Sequence, residues 1–215
     1  MSNIGIKKGY RLEKFQLGPL GTNCYVIVDK QDGSAVIIDP GYNDVNFIKT
    51  LKEQNIKPKM ILLTHGHFDH IGGLKCFPDL PVYIHSLDKE MLANSQKNLS
   101  SMFFSSVEYE PKNIITFEDS FEIKFKDDVF KVIHTPGHSK GSSMFLFYCR
   151  VLFVGDAVFK GSVGRYDGFG ASEIATKQTI KKLSNLEGDY LIYPGHGEET
   201  TLNEERLTNP YFKEW

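Results

Sequence analysis

The chain has 215 residues, an apolar content of 40%, and 25 basic against 27 acidic side chains, so it is close to electroneutral. It carries no basic tail or Lys/Arg block for a nucleic acid or an anionic membrane, and its apolar runs are far too short to span a bilayer. The opening residues (1–8) lack the long apolar core of an export signal, and Cys24, Cys76 and Cys149 are scattered, with no Cys-x-x-Cys, which reads as reduced thiols packed like small hydrophobes. These features predict one domain over residues 1–215 in the cytoplasm.

Residues 10–18, 24–29 and 34–38 read as strands, the latter two joined by an Asp32-Gly33 turn. Residues 44–55 read as a helix with Val45, Phe47, Ile48 and Leu51 inward, Asn43 as its cap and Pro58 as its stop. Strands are expected at 60–63 and 82–84, and a helix at 86–93. Residues 94–111 are irregular; their Met102, Phe103, Phe104 and Tyr109 are expected to pack in the core or at a subunit contact, with a flap as the alternative. Strands follow near 112–117, 121–125, 129–134, 143–148 and 151–154. A helix over 172–187 has Ser172 as cap, Ile180, Leu183 and Leu186 inward, and Gly188 as stop. A short strand follows at 191–193, and Tyr211, Phe212 and Trp215 are expected to pin the tail. The order of strands and helices suggests two sheets with helices outside, a layered α/β architecture.

The most informative stretch is His65-Gly-His67-Phe-Asp69-His70, directly after the apolar run 60–63. Crowded imidazoles repel when protonated and oppose lone pairs when neutral; a divalent cation removes both problems. Spacings of i, i+2, i+4 and i+5 do not share one helix face, which predicts a tight loop whose ligands fan toward more than one metal. Three later apolar strands lead to His138, Asp156 and His196. Each ligand loop has a glycine beside or near the ligand (Gly66, Gly137, Gly155, Gly195), where the backbone can turn and approach closely. Seven candidates, five His and two Asp, exceed one tetrahedral zinc site and fit two metals sharing a bridging carboxylate.

His-x-His-x-Asp-His followed by a distant His, Asp and His resembles the metallo-β-lactamase superfamily, and within it the small bacterial glyoxalase II-like (hydroxyacylglutathione hydrolase-like) hydrolases. Residues 21–25, 39–41, 134–139, 155–165, 193–201 and 208–210 carry the likeness over nearly the whole chain. The resemblance implies a four-layer αββα sandwich. It implies a first metal on His65, His67 and His138, a second on Asp69, His70 and His196, and Asp156 bridging. Asp69 and Asp156 are then the carboxylates at the reaction centre. Two divalent ions, zinc first with iron or manganese as alternatives, would hold a bridging hydroxide that attacks a thioester such as S-lactoylglutathione. Asp39 would orient a ligand imidazole, or simply end a strand in an Asp-Pro-Gly turn.

Arg165 matches a basic position that can face the thiol carrier's carboxylate; a solvent-facing role fits it equally. Two departures stand against glyoxalase II proper. No C-terminal helical glutathione-binding domain is expected, and Glu198 stands where that family usually has Tyr. His85 and His134 lie outside the pattern and are read as structural. A small-molecule substrate, no nucleic acid, no membrane, and a monomer or small homo-oligomer are expected. The alternatives are a mononuclear-iron persulfide dioxygenase, a lactonase, and a metal-stabilised scaffold without turnover.

Overall fold

The computed structural model describes residues 7, 9–103, 106–148 and 150–215. Residues 1–6, Lys8, Phe104, Ser105 and Cys149, on which expectations were placed above, lie outside that set. Two compact units divide the chain, Met1–Phe117 and Glu118–Trp215.

The first unit runs β1 (Tyr10–Leu17), β2 (Thr22–Asp29), β3 (Ser34–Ile38), α1 (Val45–Glu53), β4 (Lys57–Leu62), α2 (Phe68–Ile71), β5 (Val82–His85) and β6 (Ile114–Phe117). These strands form one mixed sheet in chain order. β1, β2 and β3 pair antiparallel, while β3 to β6 pair in parallel. Alternate residues of the central strands (Cys24, Val26 and Val28; Ala35 and Ile37) bury one face against Phe47 and Leu51 of α1. Tyr25, Ile27, Val36 and Ile38 point the other way and are buried as well, which is why these strands read as near-continuous apolar runs.

The ends of α1 differ from the sequence expectation. Asp44, not Asn43, caps it, accepting from the N–H groups of Asn46 and Phe47 at 2.7 and 3.0 Å. Its stop is Asn55, which adopts φ 53°. There Ile56 N–H returns to the Leu51 carbonyl at 2.8 Å and Asn55 N–H to Lys52 at 3.0 Å, a Schellman end; Pro58 lies beyond it in β4. Val45 is solvent-exposed, because the first helical residue falls outside the inward stripe of Phe47 and Leu51. Residues 86–93 are helical as expected, in the form of a 3-10 helix. The stretch 94–111 contains a second 3-10 helix, Ser100–Phe103. Tyr109 and Val107 pack on the core, whereas Met102 and Phe103 are exposed.

The second unit runs β7 (Glu122–Phe125), β8 (Asp128–His134), β9 (Ser143–Phe147), β10 (Val151–Gly155), α3 (Glu173–Ser184), β11 (Leu191–Pro194), β12 (Thr200–Thr201), α4 (Leu202–Thr208) and α5 (Pro210–Glu214). Its sheet is also mixed, in the order β12-β11-β10-β9-β8-β7, with β10 and β11 parallel and the other pairs antiparallel. Ser172 caps α3 as expected, and Ile180 and Leu183 face the core. The helix stops before Gly188, at Ser184. The Arg206 guanidinium, brought from α4, donates to the carbonyls of Leu183, Ser184, Leu186 and Gly188. A side chain distant in sequence thus satisfies the orphan carbonyls of the last turn.

Helices α4 and α5 were not expected, although their signals are in the sequence. Thr201 and Glu204 have capping-box spacing, and Asn209-Pro210 is a cap followed by proline at the first helical position. Tyr211, Phe212 and Trp215 do pack against the core of this unit, with Lys177 5.2 Å above the Trp215 ring. Among the described residues no helix is long and apolar enough to cross a membrane.

Candidate metal centre

In the first unit, β4 ends at Leu62 and the chain enters the histidine segment at once. His65 and His67 lie on the loop, but Asp69 and His70 lie on the single turn of α2. The all-loop expectation is therefore corrected: four helical residues are too few to leave a periodic signal. The His65 ring centroid is 4.7 Å from that of His67 and 4.1 Å from that of His70. Potential ligand atoms of His65 and His67 approach within 4.8 Å of each other, as do those of Asp69 and His70. His70 Nε2 and Asp69 Oδ2 are 3.7 Å apart. That is too long for a hydrogen bond but suits two ligands of one ion, each near 2 Å from it.

Asp39 organises this group. One of its oxygens accepts the Thr64 backbone N–H at 2.8 Å. The other meets the Thr64 hydroxyl at 2.6 Å and His70 Nδ1 at 2.9 Å. The Thr64 hydroxyl is in turn 3.1 Å from His65 Nδ1. With both Nδ1 atoms so engaged, Nε2 is the nitrogen each ring would present to a metal. Asp39 itself sits at φ 53°, a left-handed conformation that Asp tolerates better than most residues. Thr22 donates its hydroxyl to Asp69 Oδ2 at 3.1 Å, and the Asp88 carboxylate accepts Gly66 N–H at 3.2 Å. Gly41 lets its strand-end loop touch α2: a Cβ there would stand 1.9 Å from the Asp69 carbonyl oxygen.

The second unit brings three residues together from three strand ends: His138 beyond β8, Asp156 after β10 and His196 after β11. Asp156 Oδ2 lies 3.6 Å from His138 Nε2 and 3.7 Å from His196 Nε2. One carboxylate oxygen thus stands at nearly equal distance from two imidazole nitrogens. His138 is oriented by a backbone group, the Arg165 carbonyl, 2.8 Å from Nδ1. Gly164 makes that contact possible, since a Cβ would stand 1.8 Å from the Asp156 carbonyl oxygen and 3.2 Å from His138 Nδ1. The Arg165 guanidinium pairs with Asp167 at 2.8 Å on the exposed surface and holds the Asp167 carboxyl below its usual range.

Glu198 is also accounted for, in an exposed pair with Lys160 at 2.9 Å. Among the described residues neither excluded histidine joins a ligand group. His85 accepts Leu87 N–H through Nδ1 at 3.2 Å, and His134 Nε2 meets the Lys140 carbonyl at 2.8 Å.

Sequence reasoning missed several supports. Thr64 precedes the first ligand histidine and was legible as a neighbour, and Thr22 stood in the family-like segment 21–25 without a role, whereas Asp88 and the Arg165 carbonyl gave no signal. Glu205, buried on α4, is the largest omission. It accepts from Thr200 at 2.7 Å, Gly161 N–H at 2.8 Å and Asn209 at 2.7 Å, joining the loop after Asp156 to the strand after His196.

The model of the metallo-beta-lactamase superfamily matches residues 17–196. The chain belongs to this superfamily. Among solved structures it is similar to the BLEG-1 B3 metallo-beta-lactamase, with a TM-score of 0.86 at 34% identity over 94% of this chain and 99% of that one. It is also similar to TTHA1623 in a di-iron-bound form, with a TM-score of 0.79 at 35% identity over 93% of this chain and 99% of that one. Among curated proteins it is 31% identical to the hydroxyacylglutathione hydrolase GloC of Haemophilus influenzae, over 88% of this chain and 92% of that protein. The expected fold class is therefore present, two mixed sheets with flanking helices in the fold of the superfamily. It is likewise 33% identical to the probable metallo-hydrolase YqgX of Bacillus subtilis, over 92% of this chain and 95% of that protein, and its His- and Asp-rich groups are of the kind that can hold a metal ion.

Proposed function

We propose that the chain is a dinuclear metallohydrolase that cleaves thioesters, with 2-hydroxyacyl thioesters such as S-lactoylglutathione as the first candidates. The observation that supports the metal reading is the Asp156 carboxylate oxygen, 3.6 and 3.7 Å from two imidazole nitrogens and so near enough to share an ion with either. The first unit supplies a matching pair of ligand groups, His65 with His67 and Asp69 with His70. In this reading His65, His67 and His138 serve one ion, Asp69, His70 and His196 serve the other, and Asp156 serves both. The donor set fits: neutral imidazoles and carboxylates suit zinc, iron and manganese. Zinc is our first choice, and a di-iron-bound relative supports testing iron.

Bound divalent ions would acidify water and polarise a carbonyl. The chain's own residues fix the geometry. Asp39 keeps the proton of His70 on Nδ1, the Arg165 carbonyl does the same for His138, and Thr22 holds one oxygen of Asp69. Thiolate is a good leaving group near neutral pH, so thioester cleavage demands little from a general acid. The name of the GloC relative supports glutathione thioesters, and we place the protein in the cytoplasm, where such thiols are found. The exposed Arg165 side chain, paired with Asp167, supports a thiol-carrier contact only if that pair opens.

The test is metal analysis of purified protein combined with turnover of lactoyl-, acetyl- and acetoacetyl-glutathione. Two bound ions and turnover lost in Asp156→Ala are expected. Turnover no higher than in that variant across all thioesters overturns the reading. Oxygen uptake with glutathione persulfide would instead establish the dioxygenase alternative, and hydrolysis of nitrocefin would point to the activity in the name of the BLEG-1 relative.

A further inference from the structure

We infer that the acyl group of the substrate is an apolar chain longer than lactoyl, held in a pocket of the first unit beside Asp69. This rests on the thioester reading above and deepens it. The pocket has a volume of about 530 Å³ and is walled by Leu17, Leu20, Tyr42, Phe68, Phe103 and Val107. Asp69 also lines it and, among the described lining residues, is alone in carrying a charge. Two physical points follow. The carboxylates of a glutathione-like carrier find no cation here, so the carrier goes elsewhere and the acyl group enters. A lactoyl group would leave most of the volume to water against apolar walls, whereas an alkyl chain would displace that water.

The walls are tied to the ligand segment itself. Phe68 stands between His67 and Asp69, and its N–H donates to the Asn98 carbonyl at 3.0 Å. Asn98 is fully buried and donates to the carbonyls of Met91 and Val107 at 2.9 and 2.6 Å, which anchors the irregular stretch carrying Phe103. The Phe68 and Phe103 rings then meet at 4.9 Å. Leu20, Tyr42 and Phe103 are 44%, 49% and 52% exposed, an apolar cluster for which an apolar ligand is the natural cover. Phe103 and Val107 thereby acquire a role in acyl selection.

The experiment measures kcat and KM of the metal-loaded full chain on acetyl-, lactoyl-, butanoyl-, hexanoyl- and octanoyl-glutathione. In parallel, calorimetric affinities are taken for the non-hydrolysable thioethers S-methyl- and S-octylglutathione. KM should fall by about fourfold per added methylene until the pocket is filled, and S-octylglutathione should bind more than tenfold tighter than S-methylglutathione. The double variant Leu20→Asn/Phe103→Ser replaces two half-exposed side chains and should fold; it should erase both preferences. Equal affinities for the two thioethers, or a preference that survives in the double variant, overturns the inference. Fastest turnover of lactoylglutathione with no gain along the series overturns it too, while the thioester reading stands. An S-octyl preference without any thioester turnover supports the pocket and removes the thioester reading.

Discussion

The two ligand groups are built by opposite means. In the first unit four candidates come from six consecutive residues, and a web of side chains holds them: Asp39, Thr64, Thr22 and Asp88. In the second unit three candidates come from three strand ends, and main chain does most of the holding, through the Arg165 carbonyl and the close approach of Gly164. A contiguous motif has its spacing fixed covalently and needs only its rings oriented. A dispersed set must have its strand ends fixed in space, which calls for tight backbone contacts and a buried tie such as Glu205.

Both units place a glycine directly on the carbonyl of a candidate ligand, so the comparison should vanish for glycine. Gly41→Ala and Gly164→Ala each push a methyl onto a backbone oxygen, at 1.9 and 1.8 Å, that cannot move without carrying Asp69 or Asp156. Each is expected to lose about 3 kcal/mol or more of unfolding free energy. Urea denaturation checks this, and an unchanged midpoint in either variant would refute the close approach there.

Glu205→Gln tests the tie of the dispersed set. Removing the charge from a buried acceptor of three donors should cost about 2 kcal/mol. It should also weaken metal retention, measured by chelator competition, more than a surface substitution of equal stability cost. Loss of stability with fully retained metal would make Glu205 a purely structural tie.

Support by side chain against support by main chain is separated by Asp39→Asn and Arg165→Ala. Asn tolerates the left-handed backbone but cannot hold the His70 proton as a carboxylate does, and metal affinity should fall by about 10- to 100-fold. Arg165→Ala keeps the carbonyl that orients His138 and should leave affinity unchanged. Equal losses in the two variants would erase the distinction. Arg165→Ala should also leave stability nearly unaltered. Its exposed pair with Asp167 stabilises only while that carboxylate is ionised, so any contribution is present above the ordinary carboxylate range and disappears as pH falls through the lowered Asp167 value.

The smallest effect concerns the cysteines. Burial, then the nearby Asp39 carboxylate, raises the Cys24 thiol well above its ordinary value, whereas Cys76 is only partly buried and is raised by burial alone. In a Cys149→Ser background, a thiol reagent at mildly alkaline pH should label Cys76 in the native state and Cys24 only on unfolding. Native labelling of Cys24 would show that the core beneath the Asp39 turn opens.

The sequence by itself offered the seven candidate ligands, because four His- and Asp-bearing motifs follow apolar strands in the order of the superfamily pattern; His85 and His134, also at strand ends, were set aside only by that pattern. It also determined nearly every strand, because strands buried on both faces leave unbroken β-branched runs such as Val26-Ile27-Val28 and Ala35-Val36-Ile37-Ile38. It marked the Ser172 cap and, unread, the capping signals of α4 and α5. Only the tertiary structure decided that Asp44 and Asn55 bound α1, that Arg206 closes α3, and that a carbonyl rather than a guanidinium is what Arg165 offers His138. Those choices depend on which groups arrive within about 3 Å of one another. Residues such as Thr22 and Asp69, or Gly161 and Glu205, are more than forty positions apart in the chain, so no local pattern encodes their meeting.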